Sequence, residues 1–298
     1  LFRSAHGLHV DDHLGTAHPA IEYGGCFCGY CMAEFRTFLQ GQPEAVWKAA
    51  GIGSLEAFDY RELVRKHAMT REAYLKVQDR LPLRREFIEF QLRAAARNVR
   101  ELHALAEEVA GRPVTLSANA WIPLPPHMVV TPLLTYIVCE VHQHAGKGLA
   151  HSGNAVTAYR LADALGKPLA ATAAGTDWAF VAAHKAEQLV TYWIAQAYAC
   201  GQRLMSPSRA WCYTPGTGTS FYAGPTEVYA PFYRFVRRHA ALFDGYRAAR
   251  APAAVLFDPA GDFFGGGRLL ERMIALADAG IPFDVILAPN AWGLGDPA

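Results

Sequence analysis

From Gly7 onward the apolar positions of this chain switch repeatedly between the spacing of a strand and the spacing of a helix. Leu8 and Val10 mark a buried strand over Gly7–Asp12, which ends in two adjacent acids and enters a loop. Met32, Phe35, Phe38 and Leu39 then recur at helical spacing. Gln40 to Leu81 is largely polar with scattered aromatics (Trp47, Phe58, Tyr60, Tyr74), the pattern of short helices in a long excursion of the kind that walls a binding site. From Leu83 to Val109, residues Phe87, Phe90, Leu92, Val99, Leu102, Leu105 and Val109 trace one helical face, Arg and Glu fill the other, and Gly111 stops the pattern.

Strand, exit loop and helix then alternate. Pro113–Asn119 predicts a strand, followed by a rigid aromatic loop, Ala120–Pro126. Leu134–Val141 predicts the next strand, with Glu140 near its end and His142 and His144 just beyond. A helix over Asn154–Leu165 leads to a strand over Leu169–Ala174, with Thr176, Asp177 and Trp178 at its exit. Phe180–Ala199 reads as one continuous helix and Arg203–Ser206 as a further strand, with Trp211 and Tyr213 after it. Alternation of this kind calls for an α/β fold with a parallel sheet. Acids, histidines and tryptophans follow nearly every strand, which favours a (β/α)8 TIM barrel over an open sheet, whose ligand contacts gather at one switch point. About five strands can be counted from Gly7, so a complete barrel asks for about three more upstream.

Past a helix over Thr226–Leu242, Arg247–Pro252 reads as a linker. Strand Ala253–Phe257, helix Leu269–Ala279 and strand Phe283–Leu287 make one β-α-β unit beyond it. The expected division is therefore 1–247, the C-terminal part of the barrel, and 253–298, the start of a second α/β domain. Gly265–Gly267 lacks the G-x-G-x-x-G spacing of a phosphate loop and reads as a turn.

Composition changes this picture little. With 298 residues and 52% hydrophobic content the chain can bury a large core. A net charge of +1 and the lack of long basic runs argue against nucleic acid or an anionic membrane surface and for a weakly charged ligand. No stretch approaches 18 uninterrupted apolar residues, so no membrane span is expected. Six cysteines in so long a chain do not make a disulfide framework, which favours a reducing, cytoplasmic setting. The sequence leaves homo-oligomerisation open.

The candidate chemistry lies at the strand ends. Cys26, Cys28 and Cys31 form C-x-C-x-x-C, three thiolates close enough to hold one soft metal ion. Asp11 and Asp12 are adjacent, so strand alternation turns them to opposite sides and one of them can face a pocket. Glu140 follows an apolar run in which an unpaired carboxylate would be costly, so it is functional or salt-bridged. His142 and His144 could join His9, Asp11 and His13 around a metal, a competing metallohydrolase reading. Trp121, Trp178, Trp211 and Tyr213, after successive strands, suit stacking on sugar faces. With His13, His142 and Asp177 they make up the expected substrate contacts, and a catalytically silent carbohydrate-binding barrel is the third alternative.

The motifs carry a resemblance. E-Y-G-G followed by C-F-C-G-Y-C-M-A-E-F-R-T-F-L (Glu22 to Leu39), then R-E-F-I-E-F-Q (Arg85 to Gln91) and P-V-T-L-S-A-N (Pro113 to Asn119), resembles glycoside hydrolase family 42 beta-galactosidases and related barrel hydrolases. The likeness is dense over about the first 120 residues. Later it rests on element order and on P-F-Y-R-F-V-R-R-H-A-A-L-F-D-G-Y (Pro231 to Tyr246) leading toward a flavodoxin-like domain. It implies that the chain starts near barrel strand four and acts on a carbohydrate. It also implies that Cys26, Cys28 and Cys31 bind a structural zinc ion with a fourth cysteine from upstream, and that the acid/base carboxylate ends the first strand. Two departures stand out. The family's asparagine–glutamate pair appears as Asp11-Asp12-His13, unless Glu22 fills the role, and Pro168 to Trp178 lacks the expected nucleophilic glutamate. Glycosidic cleavage would then pair Asp11 or Asp12, as proton donor, with Glu140.

Overall fold

The computed structural model describes residues 6–11, 21, 23–122, 124–206, 209–243, 245–246 and 251–288. Its elements, in chain order, are β1 (Gly7–Val10), α1 (Gly29–Gln40), α2 (Glu44–Ala49), α3 (Tyr60–His67), α4 (Arg71–Val77), α5 (Arg84–Ala110), β2 (Thr115–Asn119), α6 (Pro125–Met128), β3 (Tyr136–Val141), α7 (Gly153–Ala164), β4 (Leu169–Ala173), α8 (Gly175–His184), α9 (Glu187–Ala199), β5 (Arg203–Leu204), β6 (Ala210–Thr214), β7 (Gly218–Tyr222), α10 (Thr226–Arg238), α11 (Ala240–Phe243), β8 (Ala253–Phe257), α12 (Pro259–Phe264), α13 (Arg268–Asp278) and β9 (Phe283–Leu287). By packing the chain falls into two compact units, Leu1–Asp12 with Ala106–Ala298, and His13–Leu105.

The first unit is built on a sheet with the order β1-β2-β3-β4-β5, every pair parallel. These are the strands expected from the apolar pattern, within two residues at most ends. The two faces of the sheet differ. Ile137, Cys139, Val141, Leu169, Ala171 and Ala173 are all sealed off; the helices α7 and α9, with buried Leu161, Ala162, Val190 and Ile194, supply the apolar cover such a face needs. The register aligns His9 with Ser117 and Tyr136 on the other face, and Asn119 with Val138 and Ala170. Glu140 and Thr172 continue that face toward the C-terminal strand ends. It is polar and half-open, and one further step of the alternation beyond Val10 adds the exposed Asp11 to it.

Two stretches depart from the expected elements. Phe180–Ala199 is two helices, because α8 starts early, at Gly175, and stops at Lys185 in the left-handed conformation (φ 50°). The turn is closed by the Ala186 N–H donating to the Val181 carbonyl at 3.1 Å, with no glycine to announce it. The segment around Trp211 and Tyr213 is an antiparallel hairpin, β6–β7, where a loop was expected. Beyond it, β8 and β9 pair in parallel as a separate two-stranded sheet. This β-α-β piece packs on α7: the Gly153 N–H donates to Asp278 Oδ1 at 2.7 Å, and Arg160 lies 3.5 Å from Asp284.

The second unit is helical around an aromatic core. Phe35 and Phe87 are almost fully buried, and the Phe87 ring meets Tyr60, Phe35 and Phe27 at centroid distances of 4.9, 5.1 and 5.1 Å. Side chains open three of its helices: Cys28 caps α1, Asp59 caps α3 and Thr70 caps α4. Gly24 (φ 92°) accepts at its carbonyl from the Tyr74 hydroxyl (2.8 Å) and buried Arg84 (3.1 Å). A Cβ there would stand 2.0 Å from the Tyr74 ring, so the turn entering the cysteine cluster requires glycine on two counts.

Candidate active site

A cleft of about 460 Å³ opens at the C-terminal ends of β2, β3 and β4, where parallel α/β sheets present their chemistry. Glu140 comes from the penultimate position of β3, Asn119 from the last of β2, and Ala174, Gly175 and Thr176 from the start of α8. Trp121, His127 and His142 line one wall, Trp211 and Tyr213 the other. Trp211 Nε1 donates to Glu140 Oε1 at 3.4 Å, so the hairpin and the sheet meet at the carboxylate. Gly175 makes this meeting feasible, since a Cβ on it would stand 2.2 Å from the Trp211 ring.

The opposite wall is tied by its backbone. The short helix α6 returns His127 to the loop, and the Trp121 N–H donates to His127 Nδ1 at 2.7 Å. The same Nδ1 lies 3.2 Å from the Trp121 carbonyl, so both backbone groups of Trp121 face the ring. Trp121 and His142 approach at 5.4 Å between centroids, and His142 stacks toward His144 at 6.2 Å. His144 is left-handed (φ 52°) and within 2.9 Å of the Asn154 side-chain amide at Nε2. Burial, then Lys147, pushes its pKa below the usual histidine range.

Asp177 and Trp178 lie in the interior and do not line this cleft. Asp177 is buried, with its two oxygens accepting from the Gln143 and Ala145 N–H groups at 2.8 Å each. It fixes the loop that carries His142 and His144, so it acts on the cleft through its neighbours. Trp178 is 2% exposed and packs edge-on against Trp193. Asp11 is exposed at the end of β1 and is not among the cleft-lining side chains. His9 is spent on Ser117 Oγ at 2.9 Å. Asp12, His13 and Glu22 lie outside the described residues.

In the helical unit, Cys26, Cys28 and Cys31 place their sulfurs within 4.8 Å of one another as free thiols. Among the described residues this is the one set of His, Cys, Asp and Glu side chains close enough to share an ion. The Cys31 N–H, at 3.4 Å from Cys28 Sγ, together with hydrogen bonds from its two partner thiols, lowers the Cys28 pKa to about 7. Burial, then the neighbouring thiols, pushes Cys31 up to about 12. Three sulfurs this close, with Cys28 at the cap of α1, fit a soft divalent ion.

Sequence reasoning missed Asn119, His127 and Gly175. Only the first had a visible signal, as the polar end of a predicted strand. The hairpin had one too: Trp211, Tyr213, Thr219 and Phe221 alternate about Pro215-Gly216-Thr217.

This fold and cleft are those of an α/β protein with a carboxylate and aromatic rings gathered at its strand ends. No family model and no solved structure matches the chain. It is similar to an alpha-agarase of Alteromonas agarilytica, 24% identical over 280 residues, covering 90% of this chain and 19% of that protein. It is also similar to an alpha-agarase of Thalassotalea agarivorans, 23% identical over 276 residues, covering 89% and 19%. The chain thus spans about a fifth of the length of these curated relatives. These weak similarities support a glycoside hydrolase-like relationship and do not support the family 42 resemblance in particular.

Proposed function

We propose that the protein carrying this chain acts on glycosidic bonds of a polysaccharide held in the cleft between β3, α8 and the β6–β7 hairpin. The observation that supports this most is Glu140: its carboxylate sits in a cleft walled by Trp121, Trp211 and Tyr213 at the C-terminal strand ends. Indole and phenol rings stack on the C–H faces of sugars, and a carboxylate beside them meets the bond they hold. The partner acid comes from the end of β1, where Asp11 shares the polar face with Glu140 and Asp12 follows. A separation of about 5–5.5 Å would give retention and about 6.5–9.5 Å inversion. The strand order runs without reversal, which supports a (β/α)8 barrel over a doubly wound sheet. In the same reading the segment from Ala253 starts a flavodoxin-like domain, and Cys26, Cys28 and Cys31 hold a structural zinc ion.

The relatives' name makes agar the first substrate to test. Reducing-end release from agarose by the protein carrying this chain should fall at least ~100-fold in Glu140→Gln, with unchanged circular dichroism. Asp11→Asn and Asp12→Asn identify the partner, since only one of them should show a comparable loss. Undiminished turnover in Glu140→Gln sinks the assignment, and wild-type protein that binds agarose without cleaving it leaves the silent carbohydrate-binding reading.

A further inference from the structure

The β6–β7 hairpin carries more aromatic surface than the cleft uses. Trp211 pairs directly with Phe221 across the hairpin, and Tyr213 pairs with Thr219, so all four side chains project from one face. Ala210 and Cys212 on the other face are buried. On the projecting face Trp211 is 37% exposed, Tyr213 42% and Phe221 58%. Phe221 stands outside the cleft lining, and the Arg209 guanidinium carbon lies 4.1 Å from its ring centre. Strand geometry sets Trp211 and Tyr213 about 6.5–7 Å apart along the strand, and Phe221 about 4.5–5.5 Å across from Trp211. The rings thus form a continuous strip, with Trp211 and Tyr213 inside the cleft and Phe221, across from Trp211, over its rim.

We infer that this strip is an outer subsite for a carbohydrate chain: the sugars beyond those held at Glu140 lie on Phe221, with Arg209 donating to their hydroxyl or sulfate oxygens. An isolated exposed ring would carry no such meaning. Here continuity with the cleft argues for one ligand lying across both, and a guanidinium stacked on the outermost ring keeps its N–H donors turned to the edge. The inference rests on the carbohydrate reading of the cleft and deepens it, because a protein built this way distinguishes long chains from short ones.

The test uses agaro-oligosaccharides of defined length, disaccharide to octasaccharide, titrated calorimetrically into the protein that carries this chain. Phe221→Ala and Arg209→Ala should weaken binding of the longest members by about tenfold and leave the shortest unchanged. Trp211→Ala should weaken all of them. Phe221→Leu separates stacking from bulk, since it should resemble the alanine variant if a flat ring is what the sugar needs. Equal losses at every length, or none at any length with Trp211→Ala still impaired, would overturn the outer subsite while leaving the cleft reading intact. If Trp211→Ala binds like wild type while Phe221→Ala still loses the long members, the cleft reading fails and the hairpin remains as the site. A wild-type protein that binds no member refutes both.

Discussion

Gly175→Ala should leave the fold nearly as stable as before and yet disable one wall of the cleft. The new methyl would stand 2.2, 2.4 and 2.6 Å from three atoms of the Trp211 indole, about an ångström inside normal carbon–carbon contact. Either α8 or the indole must yield. The start of α8 is anchored by both bonds of Asp177 and by buried Trp178, whereas Trp211 stands part-exposed on a two-stranded hairpin. The indole therefore swings out and gives up its contact with Glu140. Lost burial costs about 1–2 kcal/mol, and replacing glycine at a helical position returns up to ~1 kcal/mol, so net stability falls by no more than about 2 kcal/mol. Removing a stacking ring worth about 1.5 kcal/mol lowers oligosaccharide affinity about tenfold. Urea unfolding and calorimetric titration with an agaro-oligosaccharide read the two effects separately, with Trp211→Ala as the reference. Unchanged affinity would remove Trp211 from the site, and a stability loss above about 3 kcal/mol would show that α8 moved instead.

Asp177→Asn offers one acceptor oxygen to two buried N–H groups, so it should cost about 2–3 kcal/mol in denaturant unfolding, and a neutral result would refute the loop clamp. His144 has a folded pKa below its unfolded one, so the unfolded chain takes up protons first as pH falls. Its contribution is intact above the ordinary histidine range and is lost on acidification through the folded pKa. Lys147 and His142 act in the same direction as burial, Asp177 and Asp278 against it. His144→Asn should flatten the unfolding midpoint against pH below about 6.5, and an unaltered slope counts against it. Zinc should bind one ion per chain and shield Cys26, Cys28 and Cys31 from alkylation, with sulfur–metal distances of about 2.3 Å by X-ray absorption. Three thiols that remain fully labelled in excess zinc would end that proposal.

The parallel strands were legible because their apolar runs face a covered sheet, where burial enforces a pattern that loops cannot mimic. The long helix α5 was legible for the same reason, and so was the convergence of the three cysteines, which six residues of chain can hardly avoid. What failed to show were features made by tertiary contact. The stop at Lys185 has no glycine or proline to mark it. Asp177 read as a strand-exit ligand, yet its nearest donors are amides more than thirty residues away in sequence. Trp178 read as a sugar platform because composition cannot say which side of a helix faces the core. His127 joined the cleft through a backbone bond that no spacing rule encodes.

The pairing of β1 with β2 also sets a timetable. His9 and Ser117 are partners across 108 residues, with the helical unit encoded between them. At about 5–20 residues per second of synthesis, β1 waits about 5–20 s for its neighbour to be made. The helices in between make local contacts and can collapse during that interval, while the entropic toll of closing so long a loop rises only logarithmically with its length. The edge of β1 that awaits β2 is open to foreign strands on that side, and the brevity of Gly7–Val10, with a polar histidine in its middle, limits what it can capture there before β2 arrives.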